Sequence, residues 1–274
     1  MAVTMDDIKK LRTMTGAGMM DCKKALAEAD GDIEKAMEIV RKKGQAIAAK
    51  RSDRDAAEGC ILADCDGTYA ATIALKCETD FVAKNADFIA LTQKILDNAF
   101  KNKPADLATL NASVIDGSTI DQLVTDRSGV TGEKMELDMY CYVSGASAVA
   151  YIHPGNKLAA IVAFNQPNVD ATVAKDIAMQ IAAMNPVAID ETGVAADILE
   201  REKEIAKEKA REAGKPENLL DRIAEGAVKK YFKEFTLLEQ EFIKDAKINV
   251  AQYLDKASKG LTVTAFKRIT LNQE

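Results

Sequence analysis

The chain has 274 residues, 47% of them hydrophobic, which is enough to bury a sizeable core and long enough for two or more domains. A formal net charge of -6 and an isoelectric point near 5.2 argue against a surface built to grip phosphate backbones. No uninterrupted apolar run could span a bilayer, and the start Met1-Ala2-Val3-Thr4-Met5-Asp6-Asp7 lacks the basic-then-apolar order of a secretory leader, so a cytoplasmic protein is expected.

The first stretch, residues 5–43, reads as three short helices. Thr4 with Asp7 makes an approximate capping box before Ile8 and Leu11. Gly16-Ala17-Gly18 breaks the chain, Met19 resumes it, and Asp30-Gly31-Asp32 breaks it again, leaving Asp32 to cap a last helix. There Ile33, Ala36, Met37 and Val40 fall on one face, and Gly44 after Arg41, Lys42 and Lys43 reads as a stop. Such a thin-cored unit suits an attachment module. Residues 45–54 extend the helix or link onward.

Residues 59–64 and 68–77 are two strands around the hairpin signal Asp66-Gly67. Next, Thr79-Asp80-Phe81-Val82-Ala83-Lys84-Asn85 sets an acid beside a large aromatic where a strand pattern yields to a helix carried by Phe88, Leu91, Ile95 and Ala99. Asp80 is a candidate N-cap. Phe81 either packs inward as the first aromatic of a capped helix or projects beyond the body of the fold. Residues 102–128 are less periodic, with one short helix around Ile120, Leu123 and Val124. A strand over 133–144 follows, then a second hairpin around Pro154-Gly155-Asn156 and a helix through Ala174, Ile177, Ala178, Ile181 and Ala182. Helices on antiparallel sheet give an α+β fold, and because the order recurs, the core can contain two similar halves. The charged stretch 191–235 predicts two helices sharing one narrow apolar seam, interrupted at Gly214-Lys215-Pro216. This prong is a dimer contact, a partner contact or a solvated hairpin closed on itself. A helix over 250–257 and a strand over 261–269 return to the core.

Little in the chain promises bond-making chemistry. The five cysteines, Cys22, Cys60, Cys65, Cys77 and Cys141, are odd in number and lack Cys-x-x-Cys spacing, so they read as reduced small hydrophobes, although Cys60, Cys65 and Cys77 could neighbour one another on a hairpin. His153, the single histidine, reads as a turn residue bonded to backbone. Gly16-Ala17-Gly18 lacks the following Gly-Lys-Ser/Thr of a phosphate loop. No metal or cofactor is expected. Two rival classes are an enzyme using Cys77 or His153 and an RNA-binding scaffold, the latter opposed by the acidic balance.

Leu11-Arg12-Thr13-Met14-Thr15-Gly16-Ala17-Gly18-Met19-Met20-Asp21-Cys22-Lys23-Lys24-Ala25-Leu26 resembles the opening signature of the bacterial elongation factor Ts family, and residues 79–84 resemble its second. Asp176-Ile177-Ala178-Met179-Gln180-Ile181-Ala182-Ala183 and Gly214-Lys215-Pro216 match in order, so the likeness spans nearly the whole chain. It implies a UBA-like three-helix module at 1–55, a core N-subdomain at 56–140, a core C-subdomain at 141–190 and 237–274, and a helical hairpin at 191–236 for dimerisation or partner contact. It also implies guanine-nucleotide exchange on elongation factor Tu, with no direct nucleotide, nucleic-acid or membrane partner. By the same resemblance Phe81 is a wedge and Asp80 its polar partner near the partner's Mg²⁺, flanked by Thr79 and Val82. Leu158, Ala159 and Gln180 would press beneath the partner's phosphate loop, and Arg12, Met19 and Met20 would dock the first module. Met19 and Met20 suit docking because thioethers adapt to a partner's surface, but internal packing explains them equally. Some members carry Gly at the place of Ala159 and His at that of Gln180. The chain stops at Glu274, without a C-terminal helix seen in some relatives.

Overall fold

The computed structural model describes residues 3–272; Met1 and Ala2 of the acidic start, and Gln273 and Glu274 at the stop, lie outside the described residues. Helices α1 (Met5–Thr15), α2 (Met19–Glu28) and α3 (Ile33–Lys50) form first. Thr4 and Asp7 make the expected capping box, Gly16 ends α1 at φ 69°, and Asp32 caps α3 through the Lys35 amide. Their shared core is small: Ile8, Leu11, Cys22, Ala25, Leu26 and Ala36.

Gly44 does not stop α3. It lies inside the helix, where α3 crosses a later helix, α7 (Ile120–Thr131), at Gly129. A Cβ on Gly129 would sit 2.1 Å from the Gly44 Cα, so position 129 has no room for a side chain. The basic run before Gly44 imitates a helix end, but the helix continues; the close approach demands glycine at 129, whereas a Cβ at 44 would meet its nearest atom, the Gly129 Cα, at 3.4 Å. The second half of α3 thus carries the first three helices onto the rest of the molecule.

Beyond it, β1 (Glu58–Cys65) and β2 (Tyr69–Cys77) form the Asp66-Gly67 hairpin, followed by the single turn α4 (Asp80–Ala83) and by α5 (Ala86–Asn102). Residues 102–128 hold more than the one helix expected: α6 (Leu107–Ala112), the short pair β3 (Val114–Ile115) and β4 (Ser118–Thr119), and α7 (Ile120–Thr131). Strand β5 (Met135–Ser144) then pairs with β2, giving the sheet order β1-β2-β5. The plan repeats. Strands β6 (Ser147–Ile152) and β7 (Leu158–Phe164) form a hairpin, and α8 (Ala171–Met184) follows. The prong is α9 (Ala196–Glu212) with α10 (Leu220–Phe235), tied by Lys207 to Asp221 at 2.9 Å and Arg211 to Glu217 at 3.2 Å. Then β8 (Glu241–Phe242), β9 (Asp245–Asn249) and α11 (Val250–Ala257) lead to β10 (Val263–Thr270), which pairs with β7 in the order β10-β7-β6.

Strand periodicity explains the layering. On β2, Tyr69, Ala71, Ile73 and Leu75 face α5 and α7, while Ala70 and Ala74 face the other sheet. On β7, Ala160, Val162 and Phe164 face α8 and α11, while Ala159, Ile161 and Ala163 face the first sheet. The result is helix, sheet, sheet, helix, with an alanine-rich seam between the sheets. Both central strands are covered on both faces, which is why they read as continuous apolar runs.

Candidate functional site

At the corner between β2 and α5 the chain does something energetically unfavourable. Phe81 is 84% exposed, the most exposed large hydrophobic side chain among the described residues. Burying such a ring is worth about 1.5–3 kcal/mol, and the fold forgoes that gain. The inward-packing alternative is therefore excluded in this structure.

Local bonds hold the corner. Thr79, not Asp80, is the N-cap of α4, its hydroxyl accepting the Val82 amide at 3.4 Å. Asp80 is the first helical residue, and its carboxylate accepts a 2.7 Å bond from Lys84 one turn later. That bond, and then the Lys84 charge, hold the Asp80 carboxyl below the usual carboxylate range. Val82 turns inward against the first core, and Asn85 caps α5 through the Asp87 amide. Phe81 is thus the one large apolar group of this turn left in water.

Sequence reasoning missed the residues that brace the corner from outside. The Glu133 carboxylate, between α7 and β5, accepts the Glu78 and Thr79 amides at 3.1 Å each and the Thr79 hydroxyl at 2.6 Å. In return Glu78 accepts the Lys134 amide at 2.7 Å, and its carboxylate lies 3.3 Å from Arg51 at the end of α3. Arg127 of α7 donates to Asn85 and to Asp87, and its guanidinium lies beside Gly16, where an added Cβ would be 3.5 Å away. Through these contacts the Gly16 turn of the first three helices stands next to the start of α5. On the other side Lys157 reaches Glu58 at 2.7 Å, and its charge acts on Asp80, which brings the Leu158 end of β7 to the same corner.

The remaining expected contact residues divide sharply. Arg12 is exposed on α1, and Met19 and Met20 are exposed on α2, Met20 at 64%, so internal packing does not explain the methionine pair. Leu158 is half-buried. Ala159 and Gln180, unlike the others, are buried in the free chain, both 0% exposed. Ala159 faces the seam between the sheets beside Ile61, Ala74 and Ile269. Gln180 is spent internally: its amide nitrogen donates to Gln240 and to the Glu241 carbonyl, both at 3.1 Å, and its oxygen accepts the Ile243 amide at 2.8 Å. Neither side chain can touch a partner in this conformation.

All five cysteines are free, and burial, then the charge of Glu133, push the Cys77 thiol up to about 12. His153 is bonded to backbone as expected of a turn residue, its amide donating to the Leu158 carbonyl at 2.8 Å and its carbonyl accepting the Asn156 amide at 3.1 Å, and its ring pairs with the Tyr151 hydroxyl at 3.0 Å. Among the described residues no group of three or more His, Cys, Asp or Glu could hold a metal ion, and no helix is long and apolar enough to cross a membrane. What the corner offers is a rigid, ringed protrusion flanked by charge.

A family model described as Elongation factor TS matches residues 78–273, from the braced corner through the second sheet. Over the whole of both chains, the sequence is 64% identical to Elongation factor Ts of Porphyromonas gingivalis strain ATCC 33277 and 55% identical to that of Azobacteroides pseudotrichonymphae. It is 48% identical to Elongation factor Ts of Bacteroides thetaiotaomicron, again covering all of each chain.

Proposed function

From the premise that this chain belongs to the elongation factor Ts family of translation elongation factors, we propose that it works in the cytoplasm as a guanine-nucleotide exchange factor for elongation factor Tu. The observation that carries the reading is the Phe81 ring held in water at a corner fixed on every side. An exchange factor makes or breaks no covalent bond. It must bind the nucleotide-free partner more tightly than the loaded one, because only differential affinity shifts an equilibrium. A small octahedral Mg²⁺ tolerates little displacement of its ligands, so a wedge that moves them weakens the hold on GDP.

In this account Phe81 inserts between side chains near the partner's Mg²⁺ site and gains there the burial it lacks in the free chain. Asp80, ionised and paired with Lys84, is the polar element of the same turn. Thr79 and Val82 set the turn's geometry, and Leu158 extends the contact from the neighbouring corner. Arg12, Met19 and Met20 dock the first helices on the GTPase. Ala159 and Gln180 support the account only as scaffold. The test is to mix the purified chain with elongation factor Tu carrying a fluorescent GDP and to time nucleotide release. Acceleration that scales with the amount of chain supports the reading; an unaltered release rate contradicts it.

A further inference from the structure

We propose that Glu133 is a positioning residue for nucleotide release, holding the Phe81 turn in the one orientation from which the ring can act. The inference rests on the reading of Phe81 as the wedge. The bonds form a relay. A hydroxyl has one proton, and Thr79 donates it to Glu133 at 2.6 Å, which turns its lone pairs toward the Val82 amide that it caps. The same carboxylate takes the two amides that precede α4, those of Glu78 and Thr79. Three donors from consecutive residues on one carboxylate fix both the direction in which β2 ends and the rotation at which α4 begins.

The brace is reciprocal. Glu78 accepts the amide of Lys134, the residue after Glu133, so residues 78–79 and 133–134 grip each other through two carboxylates. Glu133 follows Gly132, the left-handed C-cap of α7 at φ 73°, and precedes β5, so its backbone is anchored from both sides. α4 is a four-residue turn with one buried side chain, Ala83, and its own packing is a weak restraint. Without the carboxylate, the β2–α4 corner keeps its partners in sequence but loses the bonds that set its angle. The ring gains its burial in the partner only from the orientation this corner gives it, so the angle enters the differential affinity on which exchange depends.

The experiment measures stimulated GDP release from elongation factor Tu over a range of factor concentrations, for the unmodified chain, Glu133→Ala, Glu133→Gln, Phe81→Ala and the double variant Glu133→Ala with Phe81→Ala. For Glu133→Ala the saturating rate is expected to fall about tenfold, as for loss of a modest coupling free energy. The half-saturating concentration should stay within about twofold, since the docking residues Arg12, Met19 and Met20 lie outside the brace. Glu133→Gln should recover most of the rate, because its oxygen can accept both amides and its nitrogen can donate to the Thr79 hydroxyl. In the Phe81→Ala background, Glu133→Ala should slow release no further, as expected of a residue that acts through the ring. Thr79→Val, which removes both the hydroxyl link to Glu133 and the cap on the Val82 amide, should lower the saturating rate about threefold and serves if Glu133→Ala does not fold.

A Glu133→Ala chain that keeps the full saturating rate while Phe81→Ala is slow overturns the proposal and leaves the wedge standing. So does an equal slowing by Glu133→Ala with and without the ring, or a shift confined to the half-saturating concentration. Should Phe81→Ala itself release GDP at the unmodified rate, the wedge reading fails and this inference falls with it.

Discussion

The two halves of the core share one plan and use it in opposite ways. Each has a β-hairpin, helices, and a last strand that pairs with the second strand of the hairpin. In the first half the corner after β2 leaves an apolar ring in water. In the second half, α8 buries polar groups instead. Asp176 is covered and bonded to Lys244 at 2.7 Å and Tyr253 at 3.0 Å, and one turn on, Gln180 is fully paired with the β8–β9 segment. Buried polar groups with all their partners serve the scaffold, whereas an exposed ring on a rigid turn has a use only when something else covers it. On the proposed reading, the buried polar groups of α8 support the scaffold and the Phe81 corner makes contact.

The largest effect is expected where the first helices join the core. Gly129→Ala forces a methyl into the Gly44 backbone and should cost about 3 kcal/mol, the upper part of the range for overpacking. Gly44→Ala meets its nearest atom only at 3.4 Å, and with alanine's helix propensity it should stay within about 1 kcal/mol of neutral. Denaturant titration of both variants checks this asymmetry. In the second half, Gln180→Leu strands the Ile243 amide and the Gln240 side chain and should lower stability by about 2 kcal/mol in the same titration. If it instead leaves stability intact and weakens partner binding, the division between scaffold and contact is wrong.

A smaller change sharpens the contact side. Replacing Met19 and Met20 by serine should leave stability unaltered and weaken association with elongation factor Tu about threefold to tenfold, as for contacts near the rim of an interface. Calorimetric titration reads this without removing the first helices, whose loss would uncover α7 at Gly129. Smallest of all, Cys77 should be silent. With its thiol pushed up to about 12, roughly one molecule in 10,000 is thiolate at pH 8, so a thiol reagent should label Cys77 only after unfolding.

Local signals in the sequence carry through to the structure, whereas contacts between distant segments leave no local mark. The Thr4–Asp7 box, the Asp66-Gly67 hairpin and the break between β2 and α5 depend on neighbours within a few positions, and the structure has them. The acid at position 80 imitated a cap because either Thr79 or Asp80 could cap; Lys84 claims the carboxylate and leaves the role to Thr79. α6 carries only Leu107 and Leu110 as large apolar residues, too few to show a period. Gly44 looked like a stop because nothing nearby reveals Gly129. Ala159 and Gln180 looked available because strand and helix patterns give a face but not what covers it. Glu133 has no motif at all, its partners being 54 and 55 positions away.

The central claim is that the Phe81 ring is held out of the fold in order to act on a partner. Its most direct test is the saturating rate of GDP release from elongation factor Tu driven by Phe81→Ala beside the unmodified chain, with the thermal midpoint of each recorded. An exposed ring contributes little to its own fold, and a central aromatic at an interface is commonly worth about 2 kcal/mol or more, so the expected result is an unchanged midpoint and release slowed roughly 30-fold. Equal release rates from two equally folded chains would contradict the account.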